Sequence, residues 1–528
     1  MTRSKIGQPS DSGPALGDKN GDLEKEPAVL PEITVSKGRA VAIIATLSGM
    51  NFLNTMGSGI LIAALPRIAV DVDIPDGLIL WPAAVYALAA GCLLHVFGAV
   101  GDIVGPKVTW VTGSFLYIVF TIAVSFARSS IQMILFRTCL GVAISMCLPT
   151  TLSLITNTFP RGHWRNVAFA MNGMAQPLGY ALGLVLGGIF TDTIGWRWSY
   201  YISAAINFGV ALTSLWSLPK VDRESDKSWT KQLREDVDWV GAMILSAGLG
   251  LLLYVLAVFT SDYRNIGHNS SIALLTVSLV LIATFPFWMH IQVKNSRPAL
   301  IPNRLWRNAA FTGACLSVFF CWASLNGIEY FTTLFFQKIQ GLSALQSSLR
   351  YFSQIIMGVS VNVVLIYVIP RVPVVLLTTA SACITLISPA IMATVRSQTT
   401  YWAGPCWALL LCPVNPWVLF SISNMVISDA FPQEDQSLAG AVFNEVAQFG
   451  NSVGLAITAV IAASVTEHSK GYVGDAAVMQ GYRAAFWTIF ASTAAVLIIS
   501  LISFRNTGII GHHARKADIE VAEVKLAT

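Results

Sequence analysis

The strongest constraint on this 528-residue chain is a charge-poor block that is far too large to be a water-soluble core. Three polar stretches, 1–38, 219–238 and 505–528, contain 29 of its 61 charged residues. The remaining 446 residues contain only 32 charges. Charged residues make up 12% of the chain, against about 25% in soluble globular proteins. Because such a block cannot cover itself with a wetted surface, we expect lipid to solvate it.

Apolar runs long enough to cross a membrane as helices occur fourteen times. The even number puts both termini on one side. With both in the cytosol, cytosolic segments contain 23 Lys and Arg residues and outer loops contain 8, as the positive-inside rule requires. The sequence therefore predicts an all-α membrane protein with 14 spans and cytosolic termini. The spans lie near 40–65, 78–100, 108–126, 131–155, 167–190, 199–218, 239–260, 271–291, 309–335, 345–369, 373–395, 402–428, 438–463 and 483–504.

The longest charged loop follows the sixth span and predicts a cytosolic linker between two bundles. The first 38 residues are polar and have no apolar core of a signal peptide, so we interpret them as a disordered cytosolic tail. Two short runs that re-enter the membrane, rather than crossing it, are the alternative to the extra pair of spans. The predicted division is a tail at 1–38, a six-helix bundle at 39–218, the linker at 219–238, two additional transmembrane helices at 239–291, a second six-helix bundle at 292–504 and a cytosolic tail at 505–528.

Several function classes are disfavoured by what the polar stretches contain. The basic residues are scattered rather than clustered, which argues against nucleic-acid binding. No Walker A, G-x-S-x-G or H-E-x-x-H motif occurs, so we expect neither an enzyme nor a cofactor. The eight cysteines have no C-x-x-C spacing and are interpreted as small core residues. His95 and His290 are isolated, so no metal site is predicted.

Three glycine-containing motifs lie in or between the first five spans, and two of them also contain charged residues. Glycines permit a tight turn and close helix approach, while a carboxylate and a cation at fixed spacing can form a latch that breaks as two bundles rock. An arginine at membrane depth costs at least about 2.5–3.5 kcal/mol and must find a partner, either in a structural pair or in a proton relay. Glycines four residues apart expose one helix face for packing. The motif residues are Gly98, Asp102, Gly105 and Lys107 before the third span, Arg137 and Gly141 in the fourth, and Gly179, Gly183 and Gly187 in the fifth.

These motifs resemble the G-x-x-x-D-x-x-G-R-[RK] loop, the R-x-x-x-G element and the fifth-helix element of exporters in the major facilitator superfamily. With the fourteen spans they are similar to its drug:proton antiporter-2 family, and the resemblance implies the major facilitator fold with alternating access. Pro106 replaces an arginine of the loop pattern, and Leu184 replaces a proline of the exporter pattern. Three further segments look most like fungal members: 78–82 (LILWP), 64–66 (ALP) and 196–198 (WRW).

The first span departs from the family in a way that matters for proton coupling. Many members have an acidic residue nine positions before the proline of the A-L-P segment, where this chain has Gly57. The span instead carries Asn51, Asn54 and Ser58 as an uncharged polar stripe. If protons are carried, another carboxylate must carry them.

The ninth span supplies one proton-coupling candidate, Glu329. Trp322, Asn326 and Thr333 share its helix face. A carboxyl in a low-dielectric site can load and release a proton as its access alternates. A glutamate that is hydrogen-bonded inside the bundle without a role in turnover is the alternative. Arg350 is either its partner or a side chain that extends to the interface.

The thirteenth span supplies the second candidate, Glu445, and the same alternative applies to it. Asn444, Gln448 and Asn451 line the adjacent face of that span.

In the twelfth span Pro405, Pro413 and Pro416 predict either a kinked, cavity-lining helix or a bend that serves packing alone. The sequon at Asn269 is a possible glycosylation site in an outer loop.

The function predicted from these features is secondary active efflux by proton-coupled antiport of a small amphipathic organic compound. An uptake permease for a small polar or inorganic solute is the first alternative, and a non-transporting membrane sensor is a distant one. The expected partners are a small-molecule substrate, protons and the lipid bilayer, with the protein a monomer. The plasma membrane is the expected location, with the vacuolar or vesicle membrane as alternatives. The predicted cavity residues are Asn54, Trp322, Asn326, Asn444 and Gln448.

Overall fold

The computed structural model describes an entirely helical chain, with no strand in the described ranges. The predicted N-terminal tail lies outside those ranges apart from residues 36–38, the last two of which begin the first helix. Most of the charged linker also lies outside them, as does the C-terminal tail apart from residues 505 and 508. The described residues are 36–75, 78–79, 81–159, 163–220, 231–233, 237–261, 267–369, 371–431, 433–469, 474–505 and 508.

Sixteen α-helices carry the fold of the described residues. They are α1 (Lys37–Asp71), α2 (Trp81–Val104), α3 (Pro106–Ser125), α4 (Ser130–Thr158), α5 (His163–Asp192), α6 (Arg197–Ser217), α7 (Trp239–Ser261), α8 (Asn269–Lys294), α9 (Ala309–Leu334), α10 (Ala344–Arg350), α11 (Phe352–Val368), α12 (Val374–Thr394), α13 (Pro405–Leu411), α14 (Val414–Ala430), α15 (Gln433–His468) and α16 (Asp475–Ser503). Short 3₁₀ turns lie at Leu305–Arg307 and Tyr401–Ala403, and a π-turn lies at Phe335–Ile339.

The predicted all-α membrane architecture is confirmed, and each apolar run coincides with a helix or a broken pair of helices. Within the described residues, twelve helical stretches are long and apolar enough to cross a membrane. The count is thirteen when α2, which bends by 50° near residue 95, is taken as one span. The 21-residue helix α6 coincides with the predicted sixth span, but it is not apolar enough to count among these spanning helices. Fourteen spans and cytosolic termini therefore stay predictions.

Helix boundaries follow local chemistry at several positions. Gly105 separates α2 from α3 with a φ of 113°, a conformation that favours glycine, and Pro106 fills the first position of α3. Asn308 caps α9 by accepting a hydrogen bond from the Phe311 backbone N–H at 3.1 Å. Ser343 begins α10 as part of a reciprocal capping box.

Two predicted spans are broken in the structure. The proline-rich twelfth span splits at Cys412 and Pro413 into α13 and α14, as its prolines predict. The tenth span splits at Tyr351 into α10 and α11, although no proline or glycine stands there. A π-turn also interrupts the end of the ninth span, and such turns are frequent at functional sites.

The helices pack as two groups. A helical hairpin, formed by α7 and α8, lies between these groups in the amino-acid sequence. Helices α1–α6, here the N-terminal group, contact mainly one another, as do α9–α16, the C-terminal group. Helices α7 and α8 pair with each other, and α7 also packs on α2 and α15. The Ser246 hydroxyl donates to the Cys92 carbonyl at 3.2 Å, and the rings of Trp81 and Tyr254 meet edge to face at 6.2 Å. The extra hairpin thus lies over the junction of α2 with α15.

The prediction that all eight cysteines are core residues was wrong for one of them. Cys383 is exposed on α12, and Cys139 is half-buried. An exposed position on a membrane helix can face lipid, so an apolar run does not by itself place a cysteine in the core. The other six are buried: Cys92, Cys147, Cys315, Cys321, Cys406 and Cys412.

Candidate functional site

The predicted cavity residues lie on α1, α9 and α15, and their side chains are half-buried. Asn326 donates to the side-chain oxygen of Asn451, and Asn451 donates to that of Gln448 at 3.4 Å. Trp322 accepts a bond from Asn326 at its backbone carbonyl, at 3.3 Å. Asn444 instead donates to Gly440 of its own helix at 2.8 Å. The structure therefore joins α9 and α15 through a row of carboxamides that can both donate and accept hydrogen bonds.

On the opposite group, Asn54 accepts a hydrogen bond from the Tyr86 hydroxyl of α2. Tyr86 also contacts Arg137 of α4, whose guanidinium carbon lies 4.6 Å from the ring centre. Arg137 is 1% exposed, and its Nε donates to the Pro82 carbonyl at 3.0 Å. A carbonyl and an aromatic face are thus the partners that membrane burial demands of the arginine. The contact chain Arg137–Tyr86–Asn54 links the R-x-x-x-G element to the polar stripe of α1.

Gly141, the second member of that element, lets α4 approach α2 closely. A Cβ at this position would lie 2.5 Å from the Tyr86 carbonyl and 2.9 Å from the Ala89 side chain. No side chain fits at such distances without moving a helix. Gly141 therefore places Arg137 and Tyr86 against each other.

Glu329 is 4% exposed and lies where the two groups meet. The Gln354 amide of α11 donates to its carboxylate, and the Tyr180 hydroxyl of α5 lies beside it. The Tyr351 hydroxyl donates to the Glu329 backbone carbonyl at 2.6 Å. Glu329 therefore contacts the break between α10 and α11 as well as the opposite group.

Arg350 is not the partner of Glu329, which corrects one of the two sequence interpretations. Its guanidinium donates to the Gln340 side chain at 2.6 Å and lies 4.8 Å from the ring centre of Phe336 and 5.5 Å from that of Tyr401. The sequence could not show this, because the break at Tyr351 turns Arg350 toward the π-turn. The arginine fastens the end of α10 to that turn.

Glu445 is 1% exposed on α15 and lies close enough to Cys92 of α2 for an electrostatic interaction. The Cys92 carbonyl accepts the hydrogen bond from Ser246 of α7. Glu445 thus stands at the junction of three helices, two of which belong to different groups. It is adjacent in sequence to Asn444 and one turn before Gln448 in the polar row.

The glycines of the fifth span face α1 at backbone distance. A Cβ at Gly179 or at Gly183 would lie 2.2 Å from a carbonyl oxygen of α1, that of Phe52 or of Met56. At Gly187 it would lie 2.9 Å from the Ile60 Cα. The two helices therefore meet over three turns without intervening side chains.

Sequence reasoning missed an equivalent contact in the C-terminal group. Gly450 faces the Phe319 carbonyl and Gly454 faces Ala323, each with a Cβ distance of 2.2 Å. The G-x-x-x-G spacing of α15 was a sufficient signal for this contact. No comparable signal exists for Tyr86, Tyr180 or Gln354, whose partners are distant in the sequence.

The two charged residues of the predicted loop motif, Asp102 near the end of α2 and Lys107 in the first turn of α3, are held in different ways. The Lys107 ammonium donates to the Leu215 and Leu218 carbonyls at 3.0 and 2.5 Å. Asp102 is exposed, and its carboxylate makes no hydrogen bond or ion pair with the residues that the structure describes. A Cβ at Gly98 would lie 3.5 Å from the Pro149 side chain of α4, which is an ordinary contact distance. Among the described residues, the connection between α2 and α3 is therefore held through the Lys107 cation and not through the Asp102 carboxylate.

The remaining candidates lie outside this arrangement. Asn269 is exposed at the first position of α8, so its glycosylation stays a prediction. His290 is exposed, and the side chain of His95 lies outside the described residues. No cluster of His, Cys, Asp or Glu suited to a metal ion occurs within the described ranges.

Comparison with known proteins identifies the family. The sequence model of the Major Facilitator Superfamily matches residues 47–455. The chain belongs to the major facilitator superfamily. It is 46% identical over 525 residues to MFS-type transporter 1 of Pyricularia oryzae, with 90% of this chain and 85% of the relative covered.

More distant superfamily relatives differ in their named activities. The low affinity ammonium transporter of Saccharomyces cerevisiae is 25% identical, with 89% of this chain and 91% of the relative covered. The efflux pump terJ of Aspergillus terreus is 21% identical, with 87% of both chains covered. The crystal structure of the POT family transporter PepTSo shares the fold with a TM-score of 0.63 at 13% identity, over 88% of this chain and 98% of that one.

We expect Asp102→Asn to slow turnover by about tenfold or more. A carboxylate that forms a latch in only one conformation of the transport cycle affects the rate of the conformational change rather than substrate binding. Because Asp102 is exposed and its carboxylate makes no hydrogen bond or ion pair with the described residues, stability should change by no more than about 0.5 kcal/mol. Transport rates and substrate affinity in proteoliposomes, with melting temperature as the folding control, check this. Unchanged turnover would remove the latch role.

Proposed function

We propose that the protein is a secondary active efflux transporter that exchanges protons for a small amphipathic organic compound. The observation that carries the proposal is the place of Glu445, a carboxyl that is 1% exposed where α2 and α15 of different groups meet. Alternating access rearranges that junction. A carboxyl in the junction can therefore meet one side of the membrane and then the other, as proton exchange requires.

The surroundings of Glu445 support coupling to a substrate. Asn444 and Gln448 lie on the same helix, and Gln448 connects through Asn451 to Asn326 of α9. Trp322, one turn before Asn326, adds an aromatic surface. Carboxamides and an indole together suit a compound with both polar and apolar parts.

The energy of one proton is sufficient for such exchange. A charge that crosses 100 mV releases about 2.3 kcal/mol, which sustains a solute gradient of about fiftyfold. The efflux pump of Aspergillus terreus supports the outward direction.

Uptake of a small polar solute is the second candidate, and two observations favour it. The low affinity ammonium transporter of yeast is similar over most of the chain. Position 57 of α1 is a glycine, where many drug:proton antiporters have an acidic residue. The α1 helix therefore offers no carboxyl for proton exchange beside Tyr117, whose hydroxyl would lie 3.2 Å from a Cβ at position 57.

A comparison of metabolites in cells and medium, with and without this chain, separates the two candidates. Efflux predicts a compound that builds up inside cells and falls outside when the chain is deleted. Uptake predicts the reverse, and labelled methylammonium uptake tests the ammonium-like case directly. No change in either compartment, together with unchanged resistance to a panel of amphipathic toxins, would contradict efflux.

We further propose that the protein acts as a monomer in the plasma membrane, with 39–218 and 292–504 as its two moving bundles. A fluorescent fusion that marks only vacuolar or vesicle membranes would contradict the location. Mass photometry in nanodiscs that shows dimers alone would contradict the monomer.

A further inference from the structure

The connection between α8 and α9 is strongly basic. Residues 294–307, here the basic connector, have a net charge of +4, and no acidic residue occurs between Asp262 and Glu329. The charged linker at 219–238, by contrast, balances five basic residues with six acidic ones. The positive-inside rule counts Lys and Arg alone, so it does not account for the missing acids. The basic residues of the connector are Lys294, Arg297, Arg304 and Arg307.

The basic connector lies against the protein with its apolar side chains inward. Leu300, Ile301 and Leu305 are buried. They belong to one apolar cluster with Met289 of α8 and Phe311 of α9. All four basic side chains of the connector are exposed. The same short segment therefore holds itself on the helices and presents its charge to the surroundings.

Hydrogen bonds fix the backbone of the connector to the end of α8. The Ile301 backbone N–H donates to the Met289 sulfur at 3.4 Å. The side-chain amide of Asn303 donates to the Pro286 carbonyl at 2.8 Å. Because the cations already stand on an ordered backbone, a ligand that binds them does not have to order the segment first.

Three of the four cations have no protein counter-charge in the part of the chain that the structure describes. No ion pair joins Lys294, Arg297 or Arg307 to a carboxylate there. Asp238, a buried acid next to α8, accepts a hydrogen bond from the Trp288 indole N–H at 3.1 Å and serves the hairpin instead. Like charges so close in sequence repel one another, and an anion beside them relieves that repulsion.

Apolar surface before the connector places its charges at the level of lipid headgroups. Of the twelve spanning stretches found among the described residues, α8 is the least buried. On its last turns Phe287 is 64% exposed, and Val293, which directly precedes Lys294, is 48% exposed. Exposed apolar side chains on a spanning helix face acyl chains, so the cations that follow them face the headgroups.

We propose that the basic connector binds the phosphate groups of anionic phospholipids, such as phosphatidylserine, in the leaflet at the predicted cytosolic side. Lys and Arg donate charge-assisted hydrogen bonds to phosphate oxygens. The acyl chains of the same lipids lie along Phe287 and Val293. A free anion would satisfy the charges but leave this apolar surface unused. The inference needs neither a substrate nor proton coupling, so it does not rest on the proposed efflux function.

Native mass spectrometry of the full-length protein in detergent, with dioleoyl phosphatidylserine or dioleoyl phosphatidylcholine added, tests the proposal. The parent is expected to bind phosphatidylserine about tenfold more tightly than phosphatidylcholine. The triple variant Lys294→Gln, Arg297→Gln, Arg307→Gln should lower that preference to about twofold or less, because the headgroup loses three cations. An excess of inorganic phosphate should not displace the lipid. Displacement by phosphate would identify a free-anion site and overturn the proposal.

The matched control removes the same charge elsewhere on the predicted cytosolic side, from exposed basic residues of the N-terminal group and the linker. It is the triple variant Lys37→Gln, Lys220→Gln, Lys231→Gln. This control should keep the preference of the parent for phosphatidylserine. Equal loss of preference in both triple variants would assign the effect to net charge and overturn the proposal, as would equal binding of the two lipids by the parent.

A second measurement needs no substitution and therefore does not depend on whether a variant folds. A phosphatidylserine with a photoreactive headgroup is added to the parent protein in nanodiscs, and the crosslinked peptides are mapped. Peptides that contain residues 294–307 should carry the label, and unlabelled phosphatidylserine should compete for it. Label confined to other segments would overturn the proposal.

Discussion

Glu445→Gln is expected to lower proton-driven transport by at least about a hundredfold while the protein stays folded and binds substrate. The substitution keeps the size and hydrogen-bonding capacity of the side chain and removes only the exchangeable proton. Because Glu445 stands at the junction of α2, α7 and α15, no water-exposed carboxyl can substitute for it there. Flux under an imposed pH difference in proteoliposomes, and substrate binding by thermal shift, are the measurements.

Glu467→Gln is the matched control, because this glutamate lies on the same helix and is exposed near its outer end. Its transport should equal that of the parent. Proton-driven flux that survives in Glu445→Gln would exclude Glu445 as the carrier. Loss in Glu329→Gln alone would then assign the proton to Glu329.

Gly183→Leu is expected to abolish folded protein. The new Cβ would lie 2.2 Å from the Met56 carbonyl oxygen and 2.9 Å from the Met56 Cα and carbonyl carbon, and no rotamer relieves a clash between a Cβ and backbone atoms. Helices α1 and α5 would have to separate by on the order of 1 Å, since carbon–oxygen contacts normally exceed about 3.3 Å. The cost lies at or above the upper end of the roughly 1–3 kcal/mol for overpacking. Fluorescence-detected size-exclusion chromatography measures the loss of the monodisperse peak.

Gly173→Leu on the same helix provides the comparison, because nothing lies within 4 Å of its virtual Cβ. This variant should elute like the parent, with a melting temperature within a few degrees. A stable Gly183→Leu protein would mean that α1 and α5 can separate without loss of the fold.

The helix positions were predictable because a membrane span needs a fixed length of apolar residues, so each run marks its helix. The break in the twelfth span was predictable from its prolines. The break at Tyr351 was not, because the run from 345 to 369 contains no proline, and its one charged residue, Arg350, is compatible with a continuous helix. Tertiary contacts set that break: Tyr351 binds Glu329 and Thr333, and α10 rests on α5.

The candidate site divides in the same way. Periodicity placed Asn326 and Glu329 on α9 and Gln448 beside Glu445 on α15, since spacing along one helix decides which residues are neighbours. Partners on other helices depend on how the spans pack, so Tyr180, Gln354 and Tyr86 carried no local signal. A continuous tenth span would place Arg350 close to Glu329. The break at Tyr351, which was not predicted, turns Arg350 toward Gln340 and Phe336 instead.

Two hydrogen bonds join residues 335–350 to the N-terminal group, one from the Gln337 side chain to the Ala63 carbonyl and one from the Leu345 amide to the Asp192 carboxylate. Each bond therefore has one partner in the main chain. Mutation at positions 63 and 345 can change the side chain without removing that partner, as long as the helix persists and the new residue at 345 is not proline. Selection on these bonds therefore acts mainly through Gln337 and Asp192. Homologous chains are free to diversify residues 63 and 345 in size and polarity while they keep the same two hydrogen bonds.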